Sequence, residues 1–172
     1  MKVLVLFDLG RPAAAGETFS PDELKEKEGK NTEADVLTCL ARLGHEVETL
    51  AVFDDVAGIV EKLKTFAPDV VFNLTESFHS NRAHEPNIPA LLELMRVRYT
   101  GAKPDGIILC KDKALAKKVL HYHRLRVPHF VISPESRPLK RLRRFVFPAF
   151  VKPVAEESSD GIARASFAKS ED

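Results

Sequence analysis

Tryptophan is absent from this chain, and cysteine occurs only twice, at Cys39 and Cys110. Both cysteines fall inside apolar helical patterns. That argues against a disulfide framework and leaves two buried free thiols as the expectation. No apolar run reaches the length needed to cross a bilayer as a helix. The run beginning Met1-Lys2-Val3-Leu4 enters a strand at once, which leaves no room for a signal peptide and points to a cytoplasmic protein. Charge of one sign is lacking as well: 26 Lys and Arg stand against 25 Asp and Glu, for a net charge of +1. Nothing global therefore calls for nucleic acid or an anionic membrane as a partner. No internal repeat occurs at any period.

What is there describes a globular protein. The 172 residues are 44% hydrophobic and 30% charged, enough for a core of one domain or one and a half. Lys2 to Phe7 reads as a short buried strand. A long polar stretch follows, Asp8 to Lys30, with Pro12, Pro21 and three glycines; loops of this length are usually functional or disordered, and mobility is expected here. Thr32 offers a helix N-cap, and Val36, Leu37, Leu40 and Leu43 recur at helical spacing before Gly44. A strand over His45 to Val52, a helix over Asp55 to Phe66 and a strand over Asp69 to Leu74 complete a strand–helix–strand–helix–strand succession. That order predicts a parallel sheet with helices on both faces, and ligands at the carboxyl ends of its strands, Asp8 to Gly10 and Thr75 to Glu85.

Beyond it, helices are expected over Asn87 to Met95 and over about Asp105 to Arg124. Strands are expected over His129 to Ser133, Ala149 to Lys152 and Ile162 to Phe167. A boundary near residue 103 divides the chain into 1–103 and 104–172. The second part is thin for a core of its own, and its short strands would leave open edges and an apolar face of Phe147, Phe150, Ile162 and Phe167. Such edges recruit other chains, so a homodimer through 145–168 is one expectation.

The chemistry-bearing residues concentrate late. Phe147-Pro-Ala-Phe-Val-Lys-Pro153 delivers Lys152 at a strand end into a small polar loop containing Ser158, Ser159 and Gly161. A cation beside hydroxyl donors and a glycine turn suits a polyphosphate. Lys113, in Cys110-Lys-Asp-Lys113, stands about 40 residues upstream at a helix start. Alone, a lysine there is usually just solvated; the two together point to nucleotide use. Glu76, at a strand's carboxyl end, could face a substrate ammonium or could equally cap its loop. The histidines do not make a metal set. His121 and His123 are two apart on a helix and point in nearly opposite directions. His79 and His84 lie with Glu76 and Glu85 at no recognisable ligand spacing. The basic run Arg137 to Arg144 has no interleaved aromatics and reads as a solvated helix rather than a nucleic-acid surface.

The segments Asp69-Val-Val-Phe-Asn73, Pro89-Ala-Leu-Leu-Glu-Leu-Met95, Tyr99-Thr-Gly101, Asp112-Lys-Ala-Leu-Ala-Lys-Lys-Val-Leu120, Val127-Pro-His-Phe-Val131 and Val151-Lys-Pro153 with Ser158-Ser-Asp-Gly161 occur in one order and at characteristic spacing. In this the chain resembles the D-alanine–D-alanine ligase branch of the ATP-grasp enzymes. The resemblance covers 1–172 and is weakest over 8–31. It implies an α/β protein: a parallel-sheet, Rossmann-like pre-ATP-grasp domain followed by the start of an ATP-grasp α+β subdomain. It implies ATP and magnesium as cofactors, with Lys113 and Lys152 on the α- and β-phosphates and Ser158, Ser159 and Gly161 in a loop closing over them. The implied reaction joins a small-molecule carboxylate, such as an amino acid, to an amine through an acyl phosphate.

The family's acidic metal ligands and adenine-hinge segment are not found before Asp172. This chain alone is therefore expected to be inactive, as the N-terminal part of such a ligase. The alternative is a stand-alone, non-catalytic module that binds a small molecule or a protein. Where the ligases carry His-Gly after the third strand, this chain has Glu76-Ser77; where they carry Gly-Glu-Asp-Gly, it has Ala83-His-Glu-Pro86; and Glu157 replaces the glycine before the paired serines. For the glutamate that grips the first amino acid's ammonium, Glu17 and Glu33 are the stand-ins. The resemblance therefore does not identify the first substrate.

Overall fold

The computed structural model describes residues 1–14, 17–134, 136, 145–156 and 160–170. Its backbone separates into two compact units, Met1–Asp105 and Gly106–Asp172.

The first unit is organised by β1 (Lys2–Asp8). Five of its residues, Val3 to Phe7, are buried, and four of those have no solvent exposure at all. β1 pairs in parallel with β2 (Glu46–Val52) on one side and β3 (Val70–Asn73) on the other, in the order β2-β1-β3. A short parallel extension continues beyond β3, where Tyr99 bridges Val71 and the Thr100 hydroxyl accepts the Asn73 N–H at 3.0 Å. Because side chains alternate along a strand, β1 feeds two cores. Leu4 and Leu6 pack with Ile59, Leu63 and Phe66 of α3 (Val56–Phe66) and with Ile88 and Leu92 of α4 (Asn87–Leu94). Val3, Val5 and Phe7 pack on the opposite side with Leu24, Ala34 and Leu37, carried by α1 (Pro21–Glu26) and α2 (Asn31–Arg42). The parallel α/β architecture expected from the order of elements is thus present.

The stretch between β1 and α2 differs from expectation. It is not an open loop: it holds α1, whose Ser20 and Glu23 form a reciprocal capping box, and it inserts Phe19 and Leu24 into the core. Phe19 meets Phe7 edge-on at 5.4 Å. Two apolar anchors and a capped turn outweighed the polar composition. Thr32 is not the N-cap of α2 either. Lys30 occupies that position without a side-chain cap bond, and its ammonium instead reaches Glu33 at 3.1 Å. The chain turns into the helix at Gly29, which has φ +66.

Both cysteines are exposed, contrary to expectation. The buried side of α2 runs through Glu33, Ala34 and Leu37, and Cys39 falls off that stripe. α5 (Pro104–Lys111), which carries Cys110, has no buried residue.

The expected single helix from 105 to 124 is two helices. α6 (Lys113–Tyr122) starts afresh because the Asp112 carboxylate accepts from the N–H groups of Ala114 and Leu115, at 2.9 and 2.8 Å. The expected strand 129–133 is irregular backbone with no ladder partner among the described residues. The expected strand 149–152 shortens to β4 (Ala149–Phe150). The expected strand 162–167 is a 3-10 turn at Arg164–Ser166 followed by β5 (Phe167–Ala168). β4 and β5 pair with each other, antiparallel. The run Arg137 to Arg144 lies outside the described residues. Among the described residues, no helix is long and apolar enough to cross a membrane.

One surface network joins Arg11, Ala14, Glu17 and Glu28. Arg11 donates to both carboxylate oxygens of Glu17, at 3.0 and 2.8 Å, and to Glu28 at 2.6 Å, while the Ala14 N–H also donates to Glu17 at 2.7 Å. The Arg11 bonds first, then the Ala14 N–H, pull the Glu17 carboxyl down to about 2 from its ordinary 4.5. A carboxyl depressed in the folded state contributes stability above its ordinary range and loses it as pH falls through the lower value. The network should therefore hold from neutrality down past pH 4.5 and dissolve only near pH 2. Carbon-detected titration of the glutamate side chains should show one carboxyl with an anomalously low midpoint, returning to the ordinary range in Arg11→Met. An ordinary Glu17 midpoint in the unmutated chain would show that the network does not persist in solution.

Candidate functional site

The second unit builds its site from α6, the irregular segment 128–133, and the β4 region. Together they line an open cavity of about 760 Å³. Lys113 is the first residue of α6, set there by the Asp112 cap. Lys117 lies one turn further along the same helix, on the same side. Lys152 enters from the chain just after β4. All three line the cavity, among the rings of Phe130, Phe145, Phe147 and Phe150. No aspartate or glutamate is among the described lining residues.

Each lysine is held without being neutralised. The Lys113 ammonium donates to the backbone carbonyl of Glu156 and, at 3.5 Å, to that of Val154; its own N–H donates to the Val154 carbonyl at 3.2 Å. The Lys152 ammonium sits over the Phe150 ring at 5.3 Å, and the Lys117 ammonium over the Phe130 ring at 5.1 Å. A ring face attracts a cation without cancelling its charge. Among the described residues none of these lysines has a carboxylate partner.

Gly161 stands against Pro153, the residue after Lys152. Its φ is +70, and a Cβ there would stand 2.7 Å from the Pro153 ring, next to Lys152. Two of the residues singled out by sequence, Ser158 and Ser159, lie outside the described residues. The structure thus brings together Lys113 and Lys152, with Gly161 against Pro153. Sequence reading missed Lys117, although its i,i+4 spacing from Lys113 was visible, and missed the aromatic wall, which comes from segments with no periodic signal.

The acidic candidates belong to the first unit. Glu33 is buried, with Lys30 as its ion-pair partner, so its carboxylate is already engaged. Glu76 is exposed at the carboxyl edge of the sheet, 3.6 Å from Arg82. Its N–H and the Ser77 hydroxyl both donate to the Asp8 carboxylate, at 2.8 Å each, which joins the ends of β1 and β3. Glu17 is bound to Arg11 as described. Among the described residues no group of three or more His, Cys, Asp or Glu could hold a metal ion.

No family model matches the chain. Curated proteins do. The chain is 33% identical over 136 residues to a D-alanine–D-alanine ligase of Pseudothermotoga lettingae, which covers 79% of this chain and 42% of the relative. It is likewise 33% identical over 131 residues to the D-alanine–D-alanine ligase of Moorella thermoacetica, covering 76% and 37%. The chain thus spans about two-fifths of the length of these relatives. Among solved structures, the D-alanine–D-alanine ligase of Bacillus anthracis complexed with ATP superposes with a TM-score of 0.63 at 19% identity, over 90% of this chain and 48% of that one. At that identity the likeness is one of fold.

Gly161→Ala should strain the turn twice, through its φ and through the Pro153 contact. A loss of about 1–2 kcal/mol is expected for a non-glycine residue in this backbone region, read by urea unfolding. Unchanged stability would mean that the turn is not held as described.

Proposed function

On the premise that this chain is a relative of the D-alanine–D-alanine ligases, we propose that its lysine-lined cavity receives the triphosphate of ATP and that the chain is the N-terminal part of a carboxylate–amine ligase. One observation carries the reading. Lys113 and Lys152, about 40 residues apart in sequence, line the same cavity, and no carboxylate lines it among the described residues. Three ammonium groups around an aromatic wall suit a polyanion attached to a flat, apolar body.

In this reading Lys113 and Lys152 hold the phosphates as point charges. The full-length ligase would join a carboxylate to an amine in two steps. A substrate carboxylate oxygen attacks the γ-phosphorus and ADP leaves. The amine then attacks the acyl carbon, the C–N bond forms, phosphate leaves and the amine gives up a proton. A small amino acid is the class of substrate. The sheet edge formed by Asp8, Glu76 and Ser77 is where an acidic group could meet its ammonium. Magnesium belongs to the chemistry of ATP-dependent ligation, but the described residues do not form a site for it.

Two outcomes are expected. In the 172-residue chain, Lys113→Ala and Lys152→Ala should each weaken ATP binding by roughly 1.5–3 kcal/mol, the range for a charge-assisted contact. Lys152→Ala should be the more severe, because the Lys113 ammonium is partly engaged by carbonyls already. Calorimetric titration measures both, and wild-type affinity in both variants would remove the lysines from the site. The chain should also bind ATP without turning it over. Magnesium-dependent phosphate release by the purified chain, abolished by Lys152→Ala, would overturn the proposal that the rest of a ligase is needed for turnover.

A further inference from the structure

We infer that Lys117 is a third cation of the anion site and makes the cavity selective for polyphosphates over monophosphates. The inference rests on the nucleotide reading of the same cavity and adds a residue that sequence analysis did not single out.

Lys113 and Lys117 stand at i and i+4 on α6, with Ala114 buried between them, and both line the cavity. Like charges one turn apart repel, and here no carboxylate among the described residues relieves them. A surface helix would ordinarily let one of them swing into water. Instead the Lys117 ammonium lies over Phe130, at 5.1 Å, on the cavity wall. Its neighbour Lys118 is exposed and does not line the cavity. Lys152 is treated the same way by Phe150, at 5.3 Å. Two lysines laid on two rings of one cavity keep their full charge available to whatever enters. An incoming polyanion neutralises all three cations at once, whereas a single phosphate can satisfy only part of them. The third lysine thus supplies discrimination by charge count, and its contribution should carry a marked salt dependence.

The test is calorimetric titration of the 172-residue chain with ATP, inorganic tripolyphosphate and AMP at two ionic strengths. Lys117→Met keeps the apolar stem and removes the charge. It should weaken ATP and tripolyphosphate by about tenfold, change AMP by less than about twofold, and flatten the salt dependence. Lys117→Arg should stay within about twofold of wild type for all three, because the charge and the ring contact persist. An equal loss in both variants would assign Lys117 a packing role and overturn the inference, as would a Lys117→Met variant that binds ATP like wild type. Wild-type protein that binds neither ATP nor tripolyphosphate would overturn the nucleotide reading itself, and this inference with it. Wild-type binding with an indifferent Lys117→Met overturns the inference alone.

Discussion

The first unit depends on a single constraint: β1 must be dry on both faces. A strand with five consecutive apolar side chains, Val3 to Phe7, can be stable only if both sides of the sheet are covered. Parallel pairing with β2 and β3 satisfies this, because each crossover deposits a helix on one face or the other. Leu4 and Leu6 then receive α3 and α4, and Val3, Val5 and Phe7 receive α1 and α2. The same pairing aligns the strand ends. Asp8 therefore meets the Glu76 N–H and the Ser77 hydroxyl, and a polar edge forms where the hydrophobic run stops.

The second unit solves a different problem, that of holding positive charge in a mostly apolar cavity. Three ammonium groups line it, and pairing each with a carboxylate would cancel the field. Backbone carbonyls hold Lys113, and aromatic faces hold Lys117 and Lys152. Both kinds of partner orient a cation and leave its charge for a ligand to meet. The capped start of α6 sets the register of two of the three, since Asp112 decides which residue is first in the helix. Structure and proposed function connect through that one cap.

Relatedness to the D-alanine–D-alanine ligases gives this arrangement a chemical context. The acidic residues that sequence suggested for the substrate side have local partners instead. Glu33 is paired to Lys30 inside the first unit, and Glu17 is bound by Arg11 and the Ala14 N–H. Glu33 therefore stabilises the start of α2, and Glu17 ties the preceding loop. The exposed Glu76 is the carboxylate at the sheet edge whose only described ion pair, at 3.6 Å, is long.

By itself the sequence determined most elements of the first unit, all but α1, because their signals are local. The β-branched run of β1, the helical spacing of α2 and α3, and the glycine at 44 each report on a neighbourhood of a few residues. It also determined Lys113 and Lys152 as the residues to watch, through their settings at a helix start and a strand end. Only tertiary structure decided the rest. Phe19 and Leu24 look like stray apolar residues in a polar loop until the core offers them a place against Phe7. Cys39 looks buried until the helix turns its stripe toward the sheet. The segment 129–133 has strand-like residues but no ladder partner among the described residues, and strand structure is a property of a pair. The cavity likewise has no local signature. Lys117, Phe130 and Phe150 are separated in sequence and become one site only when α6, the segment after it and β4 close around a common space.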